Sequence, residues 1–205
     1  MNRYRYQVVS FLAVTLLCIV GFILFDIPVT RFFARFRPDI WIEIWTMVTG
    51  AGESQWYLVG GLASAAVFWR SNRHAALSGL FLFTTVAVSG LAADLLKALF
   101  GRARPVLLLD EGLYGFAGFQ IDKVWTSFPS GHSATALSTA VTLSILFPRF
   151  RWLFSVAGVL IAFSRIALCQ HYLSDVVAGS CLGVVTVFFL YNRYFEKPLH
   201  DSCRS

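Results

Sequence analysis

The chain has 205 residues, of which 57 % are hydrophobic and 14 % charged, with a formal net charge of +6. Apolar content well above the roughly 45–50 % of a soluble domain excludes an ordinary water-soluble globule and points to an integral membrane protein. The basic excess suits contact with anionic lipid and signals no nucleic-acid partner.

A hydrocarbon core calls for about 17–25 apolar residues per crossing helix. Six stretches are predicted to span: 8–25, 54–69, 75–99, 131–147, 152–169 and 172–194. The first follows Arg3 and Arg5 in the manner of a signal peptide. No small-residue cleavage site comes after Phe25, however; Asp26-Ile27-Pro28 does, so the span is expected to be retained. Residues 26–53 then mix Arg31, Arg35, Arg37, Asp39 and Glu43 with Phe32, Phe33, Phe36, Trp41, Ile42 and Trp45. This pattern fits one or two amphipathic helices in the outer interface. They would serve as a lateral gate or head-group seat or, the favoured reading, simply pack against the bundle. The second span is short and glycine-rich. No internal repeat, linker or low-complexity tract interrupts the chain, so residues 1–205 are expected to form a single all-α domain, a six-helix membrane bundle with an interfacial segment after the first span.

Orientation follows from Lys and Arg between the spans. With a cytoplasmic N-terminus, the inner side carries Arg3, Arg5, Arg70, Arg73, Arg149, Arg151, Arg193, Lys197 and Arg204 against only Glu196 and Asp201. Trp41, Trp45, Trp56 and Trp125 then fall near the outer interface, and Trp69 and Trp152 near the inner one. Both termini are expected in the cytoplasm. Cys18 and Cys181 lie within spans, Cys203 in the inner tail, and only Cys169 approaches the outer face, which predicts free thiols and no disulfide framework.

Chemistry concentrates on the outer side. Asp94 and Lys97 stand three apart in the third span and share a helix face, where they are expected to pair. Were that helix to run on to Pro105, Lys97 and Arg104 would lie two turns apart on one face, and two cations aimed at one volume invite a dianion. Arg102, between them, either contacts that dianion or lies on the surface. Pro129-Ser130-Gly131-His132 opens the fourth span, placing a helix N-terminus, with its unpaired N–H groups, beside a histidine. The fifth span ends with Ser164-Arg165, and His171 and Asp175 follow, four apart, so that on a helix the carboxylate would orient the imidazole. Of the four histidines, His74 and His200 fall on the inner side, and His132 and His171 on the outer.

Lys97 with Arg104-Pro105, then Pro129-Ser130-Gly131-His132, then Ser164-Arg165 with His171 and Asp175, match the three-part signature of the type 2 phosphatidic acid phosphatase family. The chain thus resembles the membrane lipid phosphatases related to vanadium haloperoxidases and glucose-6-phosphatase. The resemblance implies that His171 attacks phosphorus to form a phosphohistidine, that Asp175 orients it, and that His132 protonates the leaving oxygen. It further implies that Lys97, Arg104, Ser130, Gly131 and Arg165 bind the phosphoryl oxygens, with no metal and no cofactor.

The implied protein is a bacterial inner-membrane lipid phosphatase whose site faces the periplasm or exterior, acting on a lipid phosphate in the bilayer with no obligate protein partner. Candidate substrates are undecaprenyl diphosphate, phosphatidylglycerophosphate, phosphatidate and lipid A phosphates. The compact chain favours the polyprenyl diphosphate. Alternatives are a lipid phosphotransferase using the same phosphohistidine, and a non-enzymatic transporter or scaffold.

Overall fold

The computed structural model describes residues 3–202, with side chains for Val9 and from Leu12 onward. Cys203 and Arg204 lie outside the described residues, as do the side chains of Arg3 and Arg5. The described residues build helices α1 (Arg3–Val20), α2 (Asp26–Arg35), α3 (Asp39–Gly50), α4 (Ser54–Phe68), α5 (Arg73–Phe100), α6 (Pro105–Asp110), α7 (Gly131–Leu146), α8 (Arg151–Ala167), α9 (Leu173–Leu190) and α10 (Glu196–Ser202). Among the described residues, four stretches are long and apolar enough to cross a bilayer: Leu12–Arg35, Arg73–Phe100, Pro148–Ala167 and Leu173–Ser202. The other two expected spans are helices α4 and α7, of 15 and 16 residues. Both are shorter than the about 20 residues that a bilayer core demands.

The first helix does not stop at Asp26-Ile27-Pro28. A π-turn over Gly21–Phe25 joins α1 to α2, closed by the Asp26 N–H donating to the Gly21 carbonyl. The extra residue in that turn shifts the ladder by one position just before Pro28, which has no N–H to give. Asp26 is thereby turned into the bundle and fully buried, while Ile23, Leu24 and Phe25 face outward. Of the aromatic residues that follow, Phe32 and Phe36 are exposed while Phe33, Trp41 and Trp45 turn toward the bundle: Phe33 stacks on Trp41, Trp45 meets Phe163 of α8, and the Trp41 indole donates to the Ala167 carbonyl.

Helix α7 is the hub, packed on α5, α8 and α9. Its composition explains how: Ser133, Ala134, Thr135, Ala136, Ser138, Thr139, Ala140 and Thr142 are all buried, and such small residues let helices approach closely. Hydroxyl pairs stitch α7 to α5, Ser89 to Ser138 at 3.2 Å and Thr85 to Thr142 at 3.1 Å. On the α9 side, Gly179 and Gly183 lie against the carbonyls of Ser130 and Ala134, where any Cβ would collide.

The bundle has two unlike ends. One holds an apolar cluster of Leu77, Phe81, Val187, Leu190, Phe195 and Leu199. At the other, the C-termini of α5 and α8 meet the N-termini of α7 and α9. Leu12, Leu16, Leu17 and Ile23 of the first helix, and Trp56, Val59, Leu62 and Val67 of α4, are exposed around the outside, as lipid-facing residues are.

Helix α5 also differs from its expected course. It ends at Phe100, because Gly101 adopts φ +54° and donates its N–H back to the Lys97 carbonyl, a left-handed cap that glycine takes without strain. Lys97 and Arg104 therefore do not share one helix face. Residues 101–128 fold back as a compact loop containing α6 and a short turn over Lys123–Trp125. The loop is pinned by Ala103 N–H to Gly115 O, Arg104 N–H to Val124 O and Ser127 N–H to Arg102 O.

Candidate active site

Three chain segments deliver the predicted residues to the polar end. Arg104 sits just before Pro105, the first residue of α6, and its guanidinium donates to the Thr126 carbonyl at 3.3 Å. Ser130 caps α7: its Oγ accepts from the Ser133 N–H at 3.4 Å and from the Ser133 hydroxyl at 2.9 Å. With both those donors pointing in, the Ser130 hydroxyl keeps its own proton to give. Gly131 is held against Lys97, whose Nζ would lie 2.8 Å from a Cβ built there, so a side chain at 131 would displace the ammonium. That Nζ also pairs with Asp94 at 3.0 Å, and the Asp94 side chain is exposed to solvent.

Arg165 ends α8. Cys169, at φ 52°, turns the chain so that the N–H groups of Gln170 and His171 both return to the Arg165 carbonyl. His171 thus precedes α9 instead of sharing a helix with Asp175. Asp175 occupies the first turn of α9, where it accepts the Tyr172 N–H at 3.0 Å as a helix cap. Its Oδ2 also accepts from the Ser127 hydroxyl at 2.6 Å and lies 3.5 Å from His171 Nδ1, with Ser127 Oγ equally 3.5 Å from that nitrogen. Nδ1 therefore faces the carboxylate, and Nε2 is turned away from it. Ser130 and Asp175 are tied directly, the Ser130 N–H donating to the Asp175 carbonyl at 3.0 Å.

His132 is half-buried near His171, close enough to Arg165, Lys97 and Arg104 to feel the charge of each. The α3–α4 corner closes over it: Gly52 leaves room beside the imidazole, and Arg165 Nη1 donates to Thr49 Oγ1 at 2.7 Å. The Nε groups of Arg104 and Arg165 are buried and have no hydrogen-bond partner among the described residues. Buried guanidinium donors of this kind call for an acceptor, and a phosphoryl dianion is the matching one.

Burial holds the His171 imidazole well below its usual range, at about 4; Asp175 opposes this, and Arg104 and Arg165 reinforce it. The ring is therefore neutral at pH 7, with a free lone pair. If the reaction runs through a neutral His171, the acid limb of kcat/KM is expected near pH 4, not near the ordinary 6.5, and a pH–rate series on the purified protein measures it. Between those values only the unfolded chain takes up the proton, so the stability contributed by neutral His171, complete above 6.5, is lost as pH falls through 4.

Sequence reasoning missed Ser127, Thr49, Asp26 and the true place of Arg102. Asp26, the lone acid in an apolar helix, offered a signal; Ser127 and Thr49 offered none. Arg102 neither lies on the surface nor reaches the cationic mouth: it is fully buried behind Asp175, bound to Asp26 and Asp175.

The chain is similar to known proteins. A family model described as the PAP2 superfamily matches residues 78–198. A lipid A 1-phosphatase of Rhizobium etli is 33 % identical over 198 residues, covering 89 % of this chain and 82 % of that protein. A transmembrane PAP2-type phosphatidylglycerolphosphate phosphatase from Bacillus subtilis superposes with a TM-score of 0.65 at 25 % identity, covering 91 % of this chain and 96 % of that one. LpxE of Aquifex aeolicus has the same fold, with a TM-score of 0.62 at 20 % identity over 82 % of this chain and 94 % of its own. With a family match over more than half its length and a relative one-third identical along most of it, the chain belongs to the PAP2 superfamily and is a membrane lipid phosphatase.

Proposed function

We propose that this phosphatase removes the phosphate from the reducing-end sugar of a lipid A-type glycolipid, without a metal and through a phosphohistidine. The carrying observation is the cationic mouth, where the unpaired Nε donors of Arg104 and Arg165 stand in the same site as the neutral imidazole of His171. Nε2 of His171 attacks phosphorus and the phosphorus–oxygen ester bond breaks. His132 gives its proton to the leaving oxygen. Water then attacks the phosphohistidine, passing a proton to His132 and releasing inorganic phosphate and free His171. Lys97, Arg104, Arg165, the Ser130 hydroxyl and the Gly131 N–H neutralise the equatorial oxygens, which is most of what phosphoryl transfer demands of a protein.

The choice of substrate rests on the Rhizobium etli relative, named a lipid A 1-phosphatase. Compactness is no longer a reason to prefer a polyprenyl diphosphate, since this chain spans most of that relative. In this reading α4 and α7 join the four longer helices as a six-span, single-domain bundle in a bacterial inner membrane. The termini lie in the cytoplasm, and the site opens to the periplasmic leaflet.

The test is an assay of purified protein in EDTA against lipid A, polyprenyl diphosphate, phosphatidylglycerophosphate and phosphatidate. The highest kcat/KM is expected on lipid A, with free phosphate and the 1-dephosphorylated glycolipid as products. A requirement for divalent metal, a higher kcat/KM on another lipid, or label passing to an acceptor lipid in place of water would overturn the proposal.

A further inference from the structure

Behind His171, Asp175 belongs to a cluster of charge whose other members, Arg102 and Asp26, have no part in the reaction above. Arg102, Asp26 and Asp175 are all fully buried. Arg102 Nη1 donates to Asp175 Oδ1 and, at 2.7 Å, to the Ser174 hydroxyl. Its Nη2 donates to Asp26 Oδ2 at 2.6 Å and contacts the Tyr114 hydroxyl at 3.1 Å. Asp26 further accepts the Ser174 N–H at 2.9 Å. The guanidinium is walled by the rings of Phe22, Phe116 and Tyr172, 4.5 to 5.2 Å away. Taking three charges this far from water is costly, and apolar packing commonly serves stability better than a buried ion pair. Something besides stability accounts for Asp26.

We infer that Asp26 is a positioning residue for the phosphoryl-transfer reaction: it takes up the charge of Arg102 and so leaves Asp175 able to act on His171. Two carboxylates share one guanidinium, and one negative charge is left over. Were Arg102 bound to Asp175 alone, its charge would cancel that carboxylate, and the pull on His171 Nδ1 would vanish as Nε2 bonded phosphorus and the ring became cationic. Asp26 draws the guanidinium from the opposite side. The surplus charge then rests on Asp175, at low dielectric, where it counts most. The π-turn over Gly21–Phe25 has a purpose in this account, since it rotates Asp26 inward. The first helix, largely lipid-facing, thereby supplies a group to the site's electrostatics.

The inference rests on His171 being the nucleophile, and one variant series separates the two. Asp26→Asn is expected to lower kcat by about ten- to a hundredfold with KM within about twofold, in protein that keeps its elution volume in detergent. Arg102→Met strands two facing carboxylates and should lose more. The double variant Asp26→Asn/Arg102→Met restores the single surplus charge on Asp175, and its kcat should exceed that of Arg102→Met. A merely structural brace predicts the reverse, because the double variant removes more of the brace, so a double no better than Arg102→Met overturns the inference. So does folded Asp26→Asn with full kcat. If His171→Ala keeps metal-independent activity, the nucleophile assignment itself falls; if His171→Ala is dead while Asp26→Asn is unimpaired, only the role of Asp26 falls.

Discussion

Replacing His171 with alanine is expected to cut kcat by at least about 10⁴-fold, the scale on which enzymes lose rate when a covalent nucleophile is removed. The substitution takes away the ring whose Nδ1 faces Asp175 and Ser127 and whose Nε2 is the proposed attacking atom. It leaves the guanidinium of Arg104 on the Thr126 carbonyl and that of Arg165 on Thr49. Substrate binding should therefore survive the change, with KM altered little while kcat collapses, the pattern of a lost transition-state interaction. The direct check is to quench turnover of labelled substrate in alkali, which preserves a phosphohistidine. Label should stay on the wild-type chain and be absent from His171→Ala. A substrate with a good leaving group should relieve loss of His132 but not loss of His171, since only the first supplies a proton to the departing oxygen. Residual activity above a tenth of wild type, or label retained on the variant chain, would remove His171 from the role.

The sequence carried membrane class, helix content and the meeting of its polar motifs at one end of the bundle because each leaves a local trace. Apolar runs of bilayer length are visible by themselves, and a Pro-Ser-Gly-His turn declares a helix start. Lines of reasoning that extrapolated one helix went astray. A two-turn spacing suggested that Lys97 and Arg104 share a face, but Gly101 enters the left-handed region and ends α5 before Arg104 is reached. His171 and Asp175 suggested a helical pair, but Cys169 turns the chain and α9 begins at Leu173, so they meet as a residue ahead of the helix and one in its first turn. The single residues governing these outcomes are a glycine cap and a non-glycine at positive φ, and only the first has a compositional signature.

The partners of Arg102 were hidden for a different reason. Seventy-six residues separate it from Asp26, and 73 separate it from Asp175. Neither pairing has a spacing to be read. What could be read was the anomaly of an acid in an apolar helix, which usually faces protein and marks function. Read only as part of the segment that stands where a cleavage site would be, Asp26 lost that meaning. The π-turn, which leaves no sequence pattern of its own, decides which way it points.

Asp175→Asn is expected to damage both fold and rate, and the geometry separates the two. Oδ1 accepts from Arg102, while Oδ2 accepts from the Ser127 hydroxyl and the Tyr172 N–H. Every neighbour on both sides is a donor. An asparagine has one oxygen and one NH₂, so either orientation sets its NH₂ against a donor, and Arg102 loses a charged partner. Removing one member of a buried ion pair costs about 3–5 kcal/mol, and a marked fall in unfolding temperature in detergent should register it. In the fraction that folds, the imidazole has lost its orienting carboxylate, and kcat should fall by about 10⁴-fold, as when the orienting acid of a catalytic triad is amidated. KM should move much less. Ser130 is tied to residue 175 through main-chain atoms, the Ser130 N–H to the 175 carbonyl at 3.0 Å, and no side-chain change cuts that bond. The Ser130–Gly131 turn thus keeps its place opposite Lys97 while His171, the proposed nucleophile, loses its support. An unfolding temperature equal to wild type would mean that Arg102 does not depend on Asp175, and a folded variant within tenfold of wild-type kcat would mean that His171 needs no orienting acid.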